Sequence, residues 1–254
     1  MKALESKVIM VAGAGGIGGG LARHYAKEGA SVVVGDIIKS GAEDVVHDIL
    51  DAGGEASAIH LDGADEASVA AAVAHTIATY KGLDGLHANF ATIADEPGKW
   101  GVLELPLDVY DLTQNINVRG YYLCTRAALP HMLERGGGSI IYTSSVAAYT
   151  GGPAQVAYAM SKAAGHALMR HVASRYGPLG VRANSIAPGM TMHSSLEDEL
   201  DRSFLDSLRA KALIRSRFGR PEDIAAMASL LMSDAGSYVS GQIICVDGGM
   251  TMRP

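Results

Sequence analysis

A five-residue apolar run, Val8-Ile9-Met10-Val11-Ala12, breaks into Gly13-Ala14-Gly15-Gly16-Ile17-Gly18 and then into Leu21, Ala22, Tyr25 and Ala26 at helical spacing. A chain in that order makes a strand, a glycine turn and a helix. Glycines let the backbone turn tightly and approach a pyrophosphate, whose charge then sits on the unpaired N–H groups of the first helical turn. Gly13, Gly15 and Gly18 keep the G-x-G-x-x-G spacing in the strand-to-helix context that this fingerprint requires. Glycine is abundant here, at 31 residues, so the flanks carry the reading as much as the glycines do.

A second apolar run, Ser31-Val32-Val33-Val34-Gly35, ends at Asp36, eighteen residues beyond Gly18. A carboxylate there is placed to accept hydrogen bonds from the hydroxyls of an adenosine ribose, and it would repel a 2′-phosphate. The next residues are Ile37 and Ile38, and the first cation is Lys39, so NAD is favoured over NADP.

The rest of the chain alternates in the same way. Strands are predicted near 7–12, 31–36, 56–61, 84–89, 138–144, 180–186 and 242–246. Helices are predicted near 17–28, 40–52, 66–81, 107–135, 157–177, 195–213 and 221–233. Seven strands with intervening helices read as one doubly wound, Rossmann-like α/β domain over 1–254, a parallel sheet covered on both faces. Ligands in such sheets bind beyond the carboxyl ends of the strands, where strand order reverses. Gly18, Asp36, Asp62, Asn89, Ser145 and Pro188 all fall at or just after strand ends, so they can share one crevice.

Composition excludes several classes. Twenty-one basic against 27 acidic residues give a net charge of −6 with no basic run, which argues against nucleic-acid or anionic-membrane binding. Cys124 and Cys245 lie in apolar segments without a pairing pattern, fitting a reducing compartment. No signal peptide and no membrane-length apolar stretch is read, so a soluble cytoplasmic protein is expected. The nine histidines lack paired ligand spacing; no metal is expected, and they read as surface or helix-face residues.

The chemistry-bearing feature is Ser145, Tyr158 and Lys162. Tyr158 and Lys162 stand four residues apart and share a helix face. A phenol titrates near pH ~10. An ammonium about 5 Å away favours the phenolate by roughly 3 kcal/mol at an effective dielectric of ~20, about two pK units. That makes the phenol a practical general acid–base. Ser145, at the end of the run Ser139-Ile140-Ile141-Tyr142-Thr143, offers a hydroxyl to hold a carbonyl or alcohol oxygen beside it.

With those residues in view, the chain resembles the classical short-chain dehydrogenase/reductase family along nearly its whole length. Ser145, Tyr158 and Lys162 match its serine, tyrosine and lysine, and Asn117, in Asn117-Val118-Arg119-Gly120, matches its asparagine. Asp62 matches the acidic residue that caps the adenine. Asn89, in Ala88-Asn89-Phe90-Ala91, matches the Asn-Asn-Ala-Gly segment, and Asn184–Gly189 the segment closing over the nicotinamide. The tail segments Arg217–Ile224 and Val246–Gly249 are also family-like. The resemblance implies hydride transfer between a nicotinamide and a carbinol or carbonyl carbon. Tyr158 would move the proton, Lys162 would tune it and hold the nicotinamide ribose, Ser145 would bind the substrate oxygen, and Asn117 would anchor a water chain to Lys162. Gly13, Gly15, Gly16, Ile17, Gly18, Asp36, Asp62, Asn89, Ala91, Tyr158, Lys162, Pro188, Gly189, Met190 and Thr191 would line the cofactor.

Three departures from the family pattern stand out. Val11 and Ala12 occupy the places of Thr and Gly in its first turn, so either the turn is one residue shorter or Ala12 replaces a glycine. Phe90 brings a bulky ring beside the cofactor. His193 stands where a threonine often meets the carboxamide, with Thr191 as its substitute. A substrate lid is expected over about 190–213. Met190, Met192 and Leu196, with Phe90, Tyr149 and Trp100, suggest an apolar pocket with His193 and Gln155 as polar handles, suited to a hydrophobic or cyclic secondary alcohol or ketone. A 3-oxoacyl thioester reductase is the alternative enzyme; Asp36 and the acidic run Glu197-Asp198-Glu199 count against it. A non-catalytic dinucleotide sensor and a structural subunit leave the intact Asn117–Ser145–Tyr158–Lys162 set unexplained. Small and apolar positions on the helices near 107–135 and 157–177, which pack across a two-fold axis in the family, point to a homotetramer, with a dimer as the alternative.

Overall fold

The computed structural model describes residues 2–94, 100–151, 155–193 and 202–252. Strands β1 (Val8–Ala12), β2 (Ser31–Asp36), β3 (Glu55–His60), β4 (Gly85–Ala88), β5 (Gly138–Thr143), β6 (Val181–Pro188) and β7 (Ile243–Val246) form one sheet in the order β3-β2-β1-β4-β5-β6-β7. All six pairings are parallel. The predicted seven-stranded, doubly wound sheet is the observed one. The alternating side-chain period splits the core into two layers. Ile9, Val11, Val32 and Val34 pack under α1 (Ile17–Lys27), α2 (Lys39–Asp51) and α8 (Pro221–Met232). Met10, Ala12, Val33 and Leu86 pack under α3 (Glu66–Tyr80), α5 (Gly120–Glu134) and α6 (Val156–Tyr176). Central strands buried on both faces need near-continuous apolar runs, which is why β1 carries five buried residues in succession.

Two helix predictions are corrected. The segment 107–135 is not one α-helix: α4 (Leu107–Gln114) and α5 are separated by a five-residue π-helical turn, Asn115–Arg119. A π turn inserts one residue without changing the apolar pattern around it, so periodicity does not register it. Of the segment 195–213, residues 194–201 lie outside the described part, and α7 occupies Arg202–Lys211.

The glycine turn is held by a buried polar relay that begins in β4. His87 lies in the sheet between Tyr25 of α1 and Thr143 of β5, and is fully buried. Thr143 Oγ1 donates to Asn89 Oδ1 at 2.9 Å, and Asn89 Nδ2 donates to the Gly13 carbonyl at 3.2 Å. Because the Thr143 proton is committed to Asn89, Thr143 Oγ1 accepts from His87 Nε2–H, and His87 Nδ1 accepts from the Tyr25 hydroxyl. The imidazole must then be neutral, and burial lowers its pKa to about 3. His87 is therefore a core residue of β4, not the surface or helix-face histidine the sequence suggested; His166 does lie on a helix, α6, and is buried there. A folded-state pKa below the unfolded value of ~6.5 contributes stability that is complete above about pH 6.5 and lost as pH falls towards 3. The His87 ring resonances are accordingly expected to show no titration between pH 5 and 8. A midpoint near 6.5 in an NMR titration would remove the relay.

Candidate active site

In an all-parallel sheet every strand delivers its carboxyl end to the same edge, and here the order reverses between β1 and β4. Gly13, Asp36, Asp62, Asn89, Ser145 and Gly189 leave β1 to β6 on that edge, gathered from more than 170 residues of sequence.

The glycines of the first turn have different tasks. Ala12 remains in β1, paired with Gly35 and Ala88, and Gly13 opens the turn at φ +102°. A Cβ on Gly13 would lie 2.6 Å from the Phe90 nitrogen, and one on Gly18 would lie 1.8 Å from the Gly13 carbonyl oxygen. Those two let the backbone fold on itself. A Cβ on Gly15 would meet nothing within 4 Å, so no neighbour within the protein requires a glycine there. The N-terminus of α1 carries neither a side-chain cap nor an acidic residue in its first turn. Open space at Gly15 and a first helical turn with no side-chain cap and no acidic residue suit an anionic pyrophosphate, so the residues fit a dinucleotide, although the Asp36 carboxylate takes the Ala14 N–H. Ile17 is the first residue of α1 behind the Gly16 N-cap.

Asp36 closes one side of this turn. Its Oδ2 accepts from the Ala14 N–H at 2.7 Å and its Oδ1 from the Ile38 N–H at 2.8 Å, which fixes the carboxylate at the end of β2. Asp62 accepts from Ala64 N–H through Oδ1, a local turn contact. Asn89 is a strut rather than a free hydrogen-bonding group, its amide committed to Gly13 and Thr143. Ala91 is exposed two residues further on. The ring of Phe90 fills the space over Gly63 and Gly120 and meets Tyr121 edge-on at 5.5 Å. A Cβ on either glycine would come within 2.7 Å of that ring, so small residues at 63 and 120 make room for it.

On the opposite side stand Ser145, Tyr158 and Lys162. Ser145 caps a 3-10 turn over Val146–Ala148, and its Oγ accepts from Ala147 N–H at 3.1 Å, which leaves the hydroxyl proton to donate. Tyr158 sits in the first turn of α6, partly exposed. Lys162 Nζ lies 5.6 Å from the centre of the Tyr158 ring, close to the separation that the helical spacing implies. Lys162 itself is only 1% exposed. Its Nζ donates to the Thr143 carbonyl and to the Tyr121 hydroxyl, each at 2.7 Å. Burial lowers its pKa to about 7. Asn117, buried in the π turn, accepts from Thr92 N–H and donates to Thr92 O and Ser161 Oγ. Its amide thus holds the 92 strap onto α6, with no direct bond to Lys162.

The segment after β6 is more anchored than a free lid. Thr191 is buried, bridges to Gly219, and donates from Oγ1 to Gly189 O. Met192 N–H donates to Gly219 O, and Gly219 N–H to Met190 O. The ring of His193 turns onto the glycine turn: a Cβ on Gly16 would lie 2.9 Å from its Cδ2 and Nε2. His193 thus packs its ring against the Gly16 end of the glycine turn. Leu196 and the acidic run 197–199 lie outside the described residues. Tyr149 stacks on His166 at 5.2 Å, and His166 Nε2 is 2.6 Å from Ser144 Oγ, directly behind Ser145.

A Gly-rich dinucleotide cradle at the switch point of a doubly wound sheet, facing a serine, a tyrosine and a buried lysine, defines a nicotinamide-dependent oxidoreductase class. Sequence comparison gives the same class. The sequence model of the family described as enoyl-(acyl carrier protein) reductase matches residues 11–251. A probable short-chain type dehydrogenase/reductase of Bradyrhizobium diazoefficiens is 42% identical, covering 98% of this chain and 89% of that protein. A 3-oxoacyl-[acyl-carrier-protein] reductase of Thermotoga maritima is 31% identical over 98% of this chain and 99% of its own. Among solved structures, 7α-hydroxysteroid dehydrogenase complexed with NADH and 7-oxo glycochenodeoxycholic acid superposes with a TM-score of 0.90 at 34% identity, covering 97% of this chain and 94% of that one. The chain belongs to the short-chain dehydrogenase/reductase family.

Proposed function

We propose that this chain is an NAD-dependent dehydrogenase/ketoreductase for a hydrophobic or cyclic secondary alcohol and its ketone, with Tyr158 as general acid–base. The observation that carries this reading is Lys162 Nζ, buried and 5.6 Å from the Tyr158 ring, on the sheet edge that also carries the glycine turn. NAD(H) supplies the hydride acceptor or donor. The alcohol oxygen binds between the Ser145 hydroxyl and Tyr158, and its proton passes to the Tyr158 oxygen; the reverse transfer quenches the developing alkoxide in ketone reduction. Lys162 favours the phenolate while it carries its charge. Pro188, Gly189, Met190 and Thr191 border the nicotinamide side, Asp62 and Ala91 the adenine side. His193 adds a ring over Gly16, where the pyrophosphate is expected.

Asp36 supports NAD: a carboxylate fixed at the end of β2 by Ala14 and Ile38 N–H would accept hydrogen bonds from ribose hydroxyls and repel a 2′-phosphate. The relative solved with a keto bile acid supports a cyclic substrate. The test follows NADH formation from NAD with a panel of cyclic, aromatic and sterol-like secondary alcohols, beside NADP. The parent is expected to prefer NAD, and Asp36→Ala to narrow that preference at least about tenfold in kcat/KM, since roughly 1.4 kcal/mol separates the two cofactors for each factor of ten. An unchanged ratio would remove Asp36 as the discriminator. The relative that reduces 3-oxoacyl thioesters motivates a second reading. Turnover of ketoacyl thioesters with NADPH, and silence across the alcohol panel, would establish it instead.

A further inference from the structure

Lys162 has an unusual environment for a residue meant to act through its charge. No carboxylate pairs with it among the described residues; its Nζ is met by two neutral oxygens, the Thr143 carbonyl and the Tyr121 hydroxyl. Tyr121 is fully buried on α5, one residue beyond Gly120, and its hydroxyl donates to the same Thr143 carbonyl at 2.6 Å. Lysine ammonium, phenol oxygen and peptide oxygen thus form a closed triangle at the end of β5, two residues before Ser145. Phe90 and Tyr142 hold the Tyr121 ring from either side, each at 5.5 Å between centroids. The titratable groups around the triangle are Tyr158 on α6, Tyr142 on β5 and Cys124 on α5, all neutral in their ordinary state, with neutral His87 on β4 bonded to Thr143 Oγ1 and His166 one turn beyond Lys162 engaged with Ser144.

We infer that Tyr121 is a positioning residue for the proton-transfer step: its hydroxyl anchors Lys162 Nζ at the end of β5 and keeps the lysine charged beside Tyr158. The physical reason is the balance at Nζ. Burial opposes the ammonium. A hydrogen bond from an ionised donor is roughly twice as strong as one between neutral groups, so each acceptor on Nζ favours the ammonium over the amine. The Thr143 carbonyl is a backbone group that no side-chain change removes, which leaves Tyr121 as the adjustable acceptor. Its own proton goes to Thr143, so the phenol presents a lone pair to Nζ. A phenylalanine would fill the same space and present none.

This inference rests on Tyr158 being the acid–base group, and its test separates the two. In the apo protein, the Lys162 pKa is read directly from 13Cε-labelled lysine by NMR, with Lys162→Met assigning the signal. In parallel, the pH profile of kcat/KM for alcohol oxidation is measured. Tyr121→Phe is expected to lower the Lys162 pKa by about one unit and to move the rising limb of the profile to higher pH by a similar amount. NADH affinity should remain within about twofold of the parent. The control is Tyr142→Phe, which deletes a neighbouring buried hydroxyl bonded to Thr125 and not to Lys162. It is expected to move neither reading. Should Tyr121→Phe not fold, Tyr121→Met fills the space with a flexible chain and is read in the same way. An unchanged Lys162 pKa in the folded variant, or an equal shift in Tyr142→Phe, would overturn the role of Tyr121. Turnover retained in Tyr158→Phe would overturn the acid–base reading, while the NMR titration would still decide whether Tyr121 holds the lysine.

Discussion

Tyr158→Phe is expected to bind NADH as tightly as the parent and to lose about 100- to 10,000-fold in turnover, the usual scale of a missing general acid–base. The substitution removes one oxygen from a partly exposed ring in the first turn of α6 and leaves the groups that shape the cofactor cradle untouched. Asp36 and the glycine turn keep their mutual hydrogen bonds, and Lys162 keeps Thr143 and Tyr121. The two readings must therefore separate: fluorescence titration with NADH unchanged, steady-state rate collapsed. A variant that retains more than a few per cent of parent turnover would require another group to move the proton, and the proposed mechanism would fail.

The second large effect divides two glycines that look alike in the sequence. Gly18→Ala puts a methyl group 1.8 Å from the Gly13 carbonyl oxygen and 2.8 Å from Asn89 Nδ2, so the α1 N-terminus must lift off the turn. Overpacking of this kind costs about 3 kcal/mol or more, a fall of roughly 6–12 °C in Tm for a chain of this size. NADH affinity should fall with it, because the relay that holds the turn ends on Gly13. Gly15→Ala is expected to behave in the opposite way. Its methyl group enters open space, at a backbone angle any residue adopts, so Tm should move by less than about 2 °C. Under the proposed cofactor site the same methyl would stand between the backbone and the pyrophosphate, so NADH binding should weaken at least about tenfold. Equal stability losses in the two variants, by scanning calorimetry, would contradict the division of labour. Unchanged NADH binding in Gly15→Ala would move the phosphate site away from this turn.

The parts legible in the sequence are those encoded by local order. Apolar runs broken by glycines and acids marked the central strands, because a strand buried on both faces leaves no other pattern; the edge strands β3 and β7, only partly buried, were marked by their place in the alternation with helices. Asp36 was legible from its place at a strand end, and Tyr158 and Lys162 from a four-residue spacing that any α-helix turns into one face. What escaped lies where a polar atom hides in an apolar position. His87 sits in a run that reads as plain strand, and Tyr121 in a helix face that reads as packing; their partners are 56 and 41 residues away. The π turn at Asn115–Arg119 leaves the hydrophobic period intact on both sides. The packing partners of Phe90 and His193 were not legible, since the room over Gly63 and Gly120, and the turn under His193, exist only once distant segments meet.

The lysine shows where the two sources of information part. Spacing alone set Lys162 about one helical turn from Tyr158, and the observed 5.6 Å to the ring centre agrees. A Coulomb estimate from that spacing assumes a full charge on the lysine. Whether the charge is there depends on how much water the folded chain removes from Nζ and which acceptors replace it, and neither quantity is local. Burial pulls the lysine down to about 7, while Thr143 and Tyr121, brought in from β5 and α5, pull the other way. The covalent order of residues thus determined which groups are neighbours along one helix face, because helical geometry is the same everywhere. Only the packing of α5, α6 and β5 decided the protonation state at which they meet, because solvation is a property of the whole fold.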